Sequence, residues 1–174
     1  VTHAVRFLNA VPDDQAEAAL LACCGSRAWV RRMLALRPFR DAYDLFAAAD
    51  RIWRELGRDD WLEAFGAHPR IGERAGKPTS EPSTGELARE WSAGEQAGAL
   101  AAPHAVRAAL EEANRAYEER FGHIFIVCAT GKSADEMLEL LRARLPNDSS
   151  AELSIAAEEQ RKITRLRLEK LVST

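Results

Sequence analysis

Apolar residues recur with helical spacing along most of the chain. "DDQAEAALLACCGS" has an acidic start, an alanine and leucine body and a glycine stop, which predicts a helix over its length. "DAYDLFAAADRIWREL" sets Leu45, Ala49, Ile52, Trp53 and Leu56 on one face, and "PHAVRAALEEANRAYEERFG" sets Val106, Leu110, Ala113, Tyr117 and Phe121 on one stripe. "SADEMLELLRARL" opens with a Ser-x-x-Glu capping box. The last segment, "DSSAELSIAAEEQRKITRLRLEKLV", stays periodic to its end and predicts a long C-terminal helix. Two stretches break the pattern. "GERAGKPTSEPSTG" is rich in Gly, Pro, Ser and Thr and reads as a loop. "HIFIVCAT" is short, apolar and β-branched, so it reads as extended, although the chain offers it no strand to pair with. The fold expected is all-α: one domain over residues 1–174, a multi-helix bundle with a long C-terminal helix and a Gly/Pro-rich loop.

Composition narrows the function classes. With 174 residues, 47% hydrophobic and 29% charged, the chain can bury a real core. No apolar run approaches the roughly 20 residues that cross a bilayer, so no membrane partner is expected. A net charge of −3, with both signs interleaved, lacks the basic face that nucleic-acid binding needs. The start "VTHAVRFLNAVPDD" has no basic segment followed by a long apolar one, and "LVST" is not a Ser-Lys-Leu address, so a cytoplasmic protein is expected. Cys23, Cys24 and Cys128 offer neither a relaxed pairing of neighbours nor a second metal-binding pair, and read as small core residues. No metal is expected.

Three stretches carry candidate chemistry. Pro69 pushes His68 out of helical geometry, so the preceding helix should end at or before it. The imidazole would then stand past a helix C-terminus, where the dipole favours its protonated form, a place suited to a proton donor. On His-Pro alone, a histidine that caps the last carbonyls is the simpler account. In "EWSAGEQAGAL", Ser92, Glu95 and Gln96 share one side of a helix, while Ser92 and Glu95 alone spell a capping box at a helix start. In the last helix Ile155, Ala156, Ile163, Leu166 and Leu168 sweep one arc. Arg167 falls inside that arc, Arg165 outside it, and Gln160 lies seven residues before Arg167 on the same side. A cation in an apolar stripe must be paired with a core carboxylate or bind an anion. "ATGKS" is not a phosphate loop, because the glycine required five residues before Gly131 is Ile126; Lys132 and Ser133 read as a helix start.

The order of these motifs carries more than any one of them. His-Pro-Arg-Ile-Gly (68–72), Ser-x-x-Glu-Gln (92–96), Asn-x-x-Tyr-x-x-Arg-Phe-Gly-x-x-Phe-x-x-Cys-Ala (114–129) and Lys-Ile-x-x-Leu-Arg-Leu (162–168) follow one another. Together with the early "LNAVP" and "RPF", they make the chain resemble the OHCU decarboxylases, which act on 2-oxo-4-hydroxy-4-carboxy-5-ureidoimidazoline in urate breakdown. The resemblance implies a cofactor-free, all-helical homodimer that forms (S)-allantoin. It makes His68 the proton donor and places Pro69 beside it at the substrate. Ser92, Glu95 and Gln96 become substrate contacts, with Glu95 also catalytic. Phe125, Ile126, Val127, Cys128 and Ala129 become the stretch whose backbone lines the pocket, and Arg167 an arginine that orients the anionic substrate. The loop between Arg74 and Glu90 differs in length from shorter family members, so no contact is carried over there. A helical interaction module built around Trp29, Trp53, Trp61 and Trp91, and a hydrolase of a related ureide or hydantoin, are the alternative readings. The module reading predicts no polar pocket uniting His68, Glu95 and Arg167.

Overall fold

Local chemistry sets the helix boundaries. The computed structural model describes residues 3–73 and 84–173, and those residues form α1 (His3–Ala10), α2 (Asp13–Cys23), α3 (Arg27–Leu34), α4 (Ala42–Glu55), α5 (Arg58–Gly66), α6 (Thr84–Glu95), α7 (Ala97–Leu100), α8 (His104–Phe121), α9 (Ala134–Arg144) and α10 (Ser149–Ser173). Ser26 and Asp41 cap α3 and α4 by accepting from the backbone N–H groups of Trp29 and Asp44. Ser133 and Glu136 form the expected capping box on α9. Asp148 starts α10 by accepting from the N–H groups of Ser150 and Ala151. Gly122, at φ 75°, ends α8 in the left-handed conformation that glycine adopts without strain. Most of the expected Gly/Pro-rich loop lies outside the described residues. Its far end is shorter than expected, because Thr84 and Gly85 already belong to α6, whose first turn carries the acidic Glu86. Among the described residues, no helix is long and apolar enough to cross a membrane.

The helix α10 packs against α1, α2, α4 and α5, and with them it encloses a first core that includes Leu8, Leu20, Trp29, Leu45, Ile52, Trp53 and Phe65. The indoles sit in this core with their N–H groups satisfied: Trp29 donates to Ala49 O, Trp53 to Ala157 O and Trp61 to Trp53 O. Of the arc on α10, Ala156, Ile163 and Leu168 are buried, whereas Ile155 is 39% exposed and falls outside it. The early motifs meet in space. Asn9 exchanges two hydrogen bonds with the Phe39 backbone, and Arg37 donates to Val11 O. Cys23 and Cys24 are buried, and burial pushes both thiols up, Cys24 to about 11. They are core residues.

A second core, with Leu110, Tyr117, Met137 and Leu141, lies between α8 and α9. The apolar run 124–129 joins the two cores. Ile126 belongs to the first, with Ile124 and Cys128 packed on it, while Phe125, Val127 and Ala129 belong to the second. The side chains alternate as in a strand, and both faces are buried, which explains the unbroken apolar run. Side chains replace the missing strand partner. Arg144 donates to Ile126 O at 2.8 Å, Cys128 donates its N–H to Glu159 at 2.7 Å, and Lys132 donates to Cys128 O at 2.8 Å. Arg144 is itself fixed by fully buried Glu152 at 2.8 Å and lies over the Phe125 ring, while the Tyr117 hydroxyl also donates to Glu152. Burial and the acceptor Glu152 hold the Tyr117 phenol well above its ordinary range.

Removing one partner of this buried pair strands the other charge. Glu152→Ala is expected to lose roughly 3–5 kcal/mol in urea unfolding, and Arg144→Met with Glu152→Met should recover part of that loss. A wild-type midpoint for Glu152→Ala would show that the triad does not hold the 125–129 segment.

Candidate active site

Pro69 ends α5 as its sequence position requires. The helix stops at Gly66, Ala67 is its C-cap, and the His68 N–H turns back to Phe65 O at 3.1 Å. The segment after it is clamped from two sides. Gln96 accepts the Gly72 N–H at 3.0 Å and donates to Pro69 O at 3.4 Å, while buried Asn114 donates to Ile71 O at 3.0 Å. Gly72 takes φ 83° in this turn, a conformation open to glycine.

This turn forms one wall of a small, partly open cavity. His68, Pro69 and Ile71 face it from the turn, Ser92, Glu95 and Gln96 from the end of α6, Phe125, Ile126, Val127 and Ala129 from the extended segment, and Ile163 from α10. Nine of the eleven expected site residues line this cavity, and Cys128 and Arg167 do not. Cys128 contributes only its backbone to the segment: its side chain packs on the first core, and burial with nearby Glu159 raises its thiol. A larger open groove shares Ile71 with the cavity and runs along α8. Its Arg70 is paired with Glu118 and Glu73, so its charges largely satisfy each other.

Ser92 and Glu95 do not start a helix, contrary to the capping-box reading. They occupy the last turn of α6, because their side chains are drawn inward by Arg167. That guanidinium lies behind Glu95 and is not on the cavity wall. Its Nε and Nη2 donate to the two Glu95 oxygens at 3.0 and 2.8 Å, Nη2 also to Ser92 Oγ at 2.9 Å, and Nη1 to Ala22 O at 3.0 Å. The stripe arginine has met a core carboxylate. Lys170, one turn further along α10, adds a third bond to Glu95 at 3.0 Å. Burial works against the Glu95 charge, but the bonds and charges of Arg167 and Lys170 outweigh it and hold the carboxyl below its ordinary range.

His68 differs from its sequence expectation. A helix C-terminus favours imidazolium by only about 0.3–1 kcal/mol. Although part of the residue remains accessible, burial and then the Arg167 charge push the imidazole down to about 4, so it is neutral at pH 7. Its Nε2 lies 2.7 Å from Gln160 Oε1, on buried α10 surface. Residue spacing alone did not reveal Lys170, Ile163 or Ile71. Lys170 follows Arg167 at i+3, the one local sign that a shared partner was available.

The extended wall adds a further element. An extended chain turns the polar groups of successive residues to opposite sides. The C=O of Ile126 and both polar groups of Cys128 are taken by Arg144, Glu159 and Lys132. Those of Val127 turn the other way, and none of the described residues bonds them.

Comparison with known proteins bears on this arrangement. The family model described as OHCU decarboxylase matches residues 9–169. The chain is 40% identical over 152 residues to the uric acid degradation bifunctional protein TTL of Arabidopsis thaliana, covering 87% of this chain and 45% of that one. It is 33% identical over 138 residues to the 2-oxo-4-hydroxy-4-carboxy-5-ureidoimidazoline decarboxylase of Amia calva, covering 78% of this chain and 75% of that protein. The chain thus spans less than half of the bifunctional relative and three quarters of the other. A crystal structure of OHCU decarboxylase in the presence of (S)-allantoin superposes with TM-score 0.73 at 33% identity, over 94% of this chain and 100% of that one. Sequence and fold agree over nearly the whole chain, the four ordered motifs included, and the chain belongs to the OHCU decarboxylase family.

Proposed function

We propose that the chain decarboxylates 2-oxo-4-hydroxy-4-carboxy-5-ureidoimidazoline to (S)-allantoin in urate catabolism. The observation that carries this reading is that, in a chain of this family, one small cavity gathers His68, Glu95, Gln96 and the unpaired Val127 backbone. The same gathering speaks against a purely structural helical module.

The residues divide the work. Arg167 and Lys170 bring two cationic side chains to Glu95 beside the cavity, a setting that favours an anionic substrate. Arg167 places four N–H bonds on the protein, so its part is to fix Glu95 rather than to grip substrate. Glu95, held ionised, accepts hydrogen bonds from hydroxyl or ureido N–H groups and does not donate a proton. Val127 offers one donor and one acceptor to a planar amide-like edge. As the carboxylate leaves, its electron pair passes into the unsaturated ring, and the fixed dipoles of the pocket stabilise that charge. His68 handles the proton that makes one enantiomer. The homodimer, supported by the resemblance, and a cytoplasmic setting, which the free thiols of Cys23, Cys24 and Cys128 fit, belong to the same proposal.

Freshly generated substrate, followed by circular dichroism, should yield (S)-allantoin in excess over the racemate of spontaneous decay. His68→Asn is expected to lower kcat by about 10²–10⁴-fold. A wild-type rate with the same enantiomeric excess would remove His68 from the reaction. Acid should act on the same residue. Its folded pKa of about 4 lies below the ordinary 6.5, so the unfolded chain takes up the proton first. The stability contributed by neutral His68 is then complete above about 6.5, falls as pH drops through that window and levels off below about 4. Following the His68 ring protons by NMR across this range should give a midpoint near 4; titration near 6.5 would contradict the buried neutral imidazole.

A further inference from the structure

The imidazole of His68 is held by a side-chain chain that the family motifs do not include. Gln160 and Thr164 stand one turn apart on α10, both buried, Gln160 completely. His68 Nε2 lies 2.7 Å from Gln160 Oε1, and Gln160 Nε2 donates to Thr164 Oγ1 at 3.2 Å. Direction follows from donor inventory. Thr164 Oγ1 accepts from the Gln160 amide nitrogen, and the amide oxygen is left facing His68. A carbonyl oxygen only accepts, so the ring nitrogen opposite it carries the hydrogen. The reverse amide orientation would set N–H against Nε2 and require the Thr164 hydroxyl to donate to the amide oxygen instead.

Resting on the reading under Proposed function, we propose that Gln160, backed by Thr164, is a positioning residue that locks His68 in the Nε2–H tautomer and leaves Nδ1 as the nitrogen that meets the substrate. His68 then enters the reaction as a proton acceptor. When the C–COO⁻ bond breaks, its electron pair becomes a ring C=C bond, the C=N pair moves to the ring nitrogen, which takes one proton from water, and carbon dioxide leaves. Nδ1 takes the enol hydroxyl proton as that oxygen becomes a carbonyl. The imidazolium so formed returns the same proton to the adjoining ring carbon, on the face that His68 occupies. One proton is consumed overall, and His68 ends as it began. A wrong tautomer would present an N–H where a lone pair is needed.

Imidazole ¹⁵N NMR of the uniformly labelled wild-type protein, with the His68 signals assigned by their loss in His68→Asn, reads the tautomer directly. The expected result is a protonated Nε2 and a bare Nδ1. Gln160→Met should mix the tautomers and lower kcat at least about tenfold with KM changed less than about threefold. Gln160→Glu, an acceptor on the same stem, should keep the wild-type tautomer and retain more kcat than Gln160→Met. Thr164→Val, which frees the amide to turn, should shift the spectrum in the direction of Gln160→Met and serves if that variant fails to fold. A wild-type Nδ1–H signal overturns the proposal, as does a Gln160→Met protein with unchanged spectrum and kcat. A wild-type protein with the expected tautomer that gives no (S)-allantoin from fresh substrate overturns the proposed function and leaves the lock standing.

Discussion

The paired contact between Arg167 and Glu95 ties the site together. It joins α10 to the end of α6, and through Ala22 O it reaches α2 as well. Two charges in so dry a place cost several kcal/mol each to desolvate, and the cost is offset because nearly every donor and acceptor is used. Ser92, Ala22 and Lys170 complete the set. The result is a carboxylate that cannot swing or take up a proton easily. Its cation is spent before any substrate arrives. The Arg167 charge also reaches His68 and works against imidazolium. Arg167 and Lys170 thus hold Glu95 ionised, while burial, aided by the Arg167 charge, keeps His68 neutral.

A neutral histidine beside these cationic side chains changes the order of proton movements. An imidazolium resting in the pocket would be opposed by Arg167, whereas an imidazolium formed during reaction is balanced by the charge that the substrate itself develops. The low dielectric strengthens that balance. On the proposed mechanism, the proton delivered is thus best supplied by the reaction, and the clamp on 69–72 would fix the face it reaches. Gln96 and Asn114 supply that clamp from α6's end and α8. Gln96 consequently serves two purposes, since its amide nitrogen retains a second hydrogen for the cavity.

Much of this was legible in the chain where the signal is local. Helical periodicity located the elements, Pro69 placed the end of α5, and the Arg167 position inside an apolar arc demanded a buried partner. What stayed hidden was the identity of partners far away in sequence. Ser-x-x-Glu reads the same at a helix start as in a last turn whose side chains face an arginine, so Ser92 and Glu95 were assigned to the wrong end of a helix. The dipole at α5 predicted a charged His68, because burial by other elements leaves no trace in "AHPRIG". "HIFIVCAT" showed its extended character, yet nothing near it named Arg144, Glu159 and Lys132 as stand-ins for a neighbouring strand.

That last segment explains why an all-helical protein would keep one stretch out of helix. Helices consume their own backbone N–H and C=O groups, and side chains from helices can supply donors and acceptors only at the ends of flexible stems. An extended strand in a sheet is consumed equally, on both sides if central. A lone extended segment with one side satisfied by Arg144, Glu159 and Lys132 keeps its other side open and rigid. Its side chains anchor it in two cores at once, so its backbone has no freedom to collapse onto the cavity. A planar ligand edged with amide-like groups, as proposed, would find there a fixed donor and acceptor from Val127, at no cost in side-chain ordering. The buried Arg144–Glu152 pair, remote from the reacting atoms, is what keeps that edge in place.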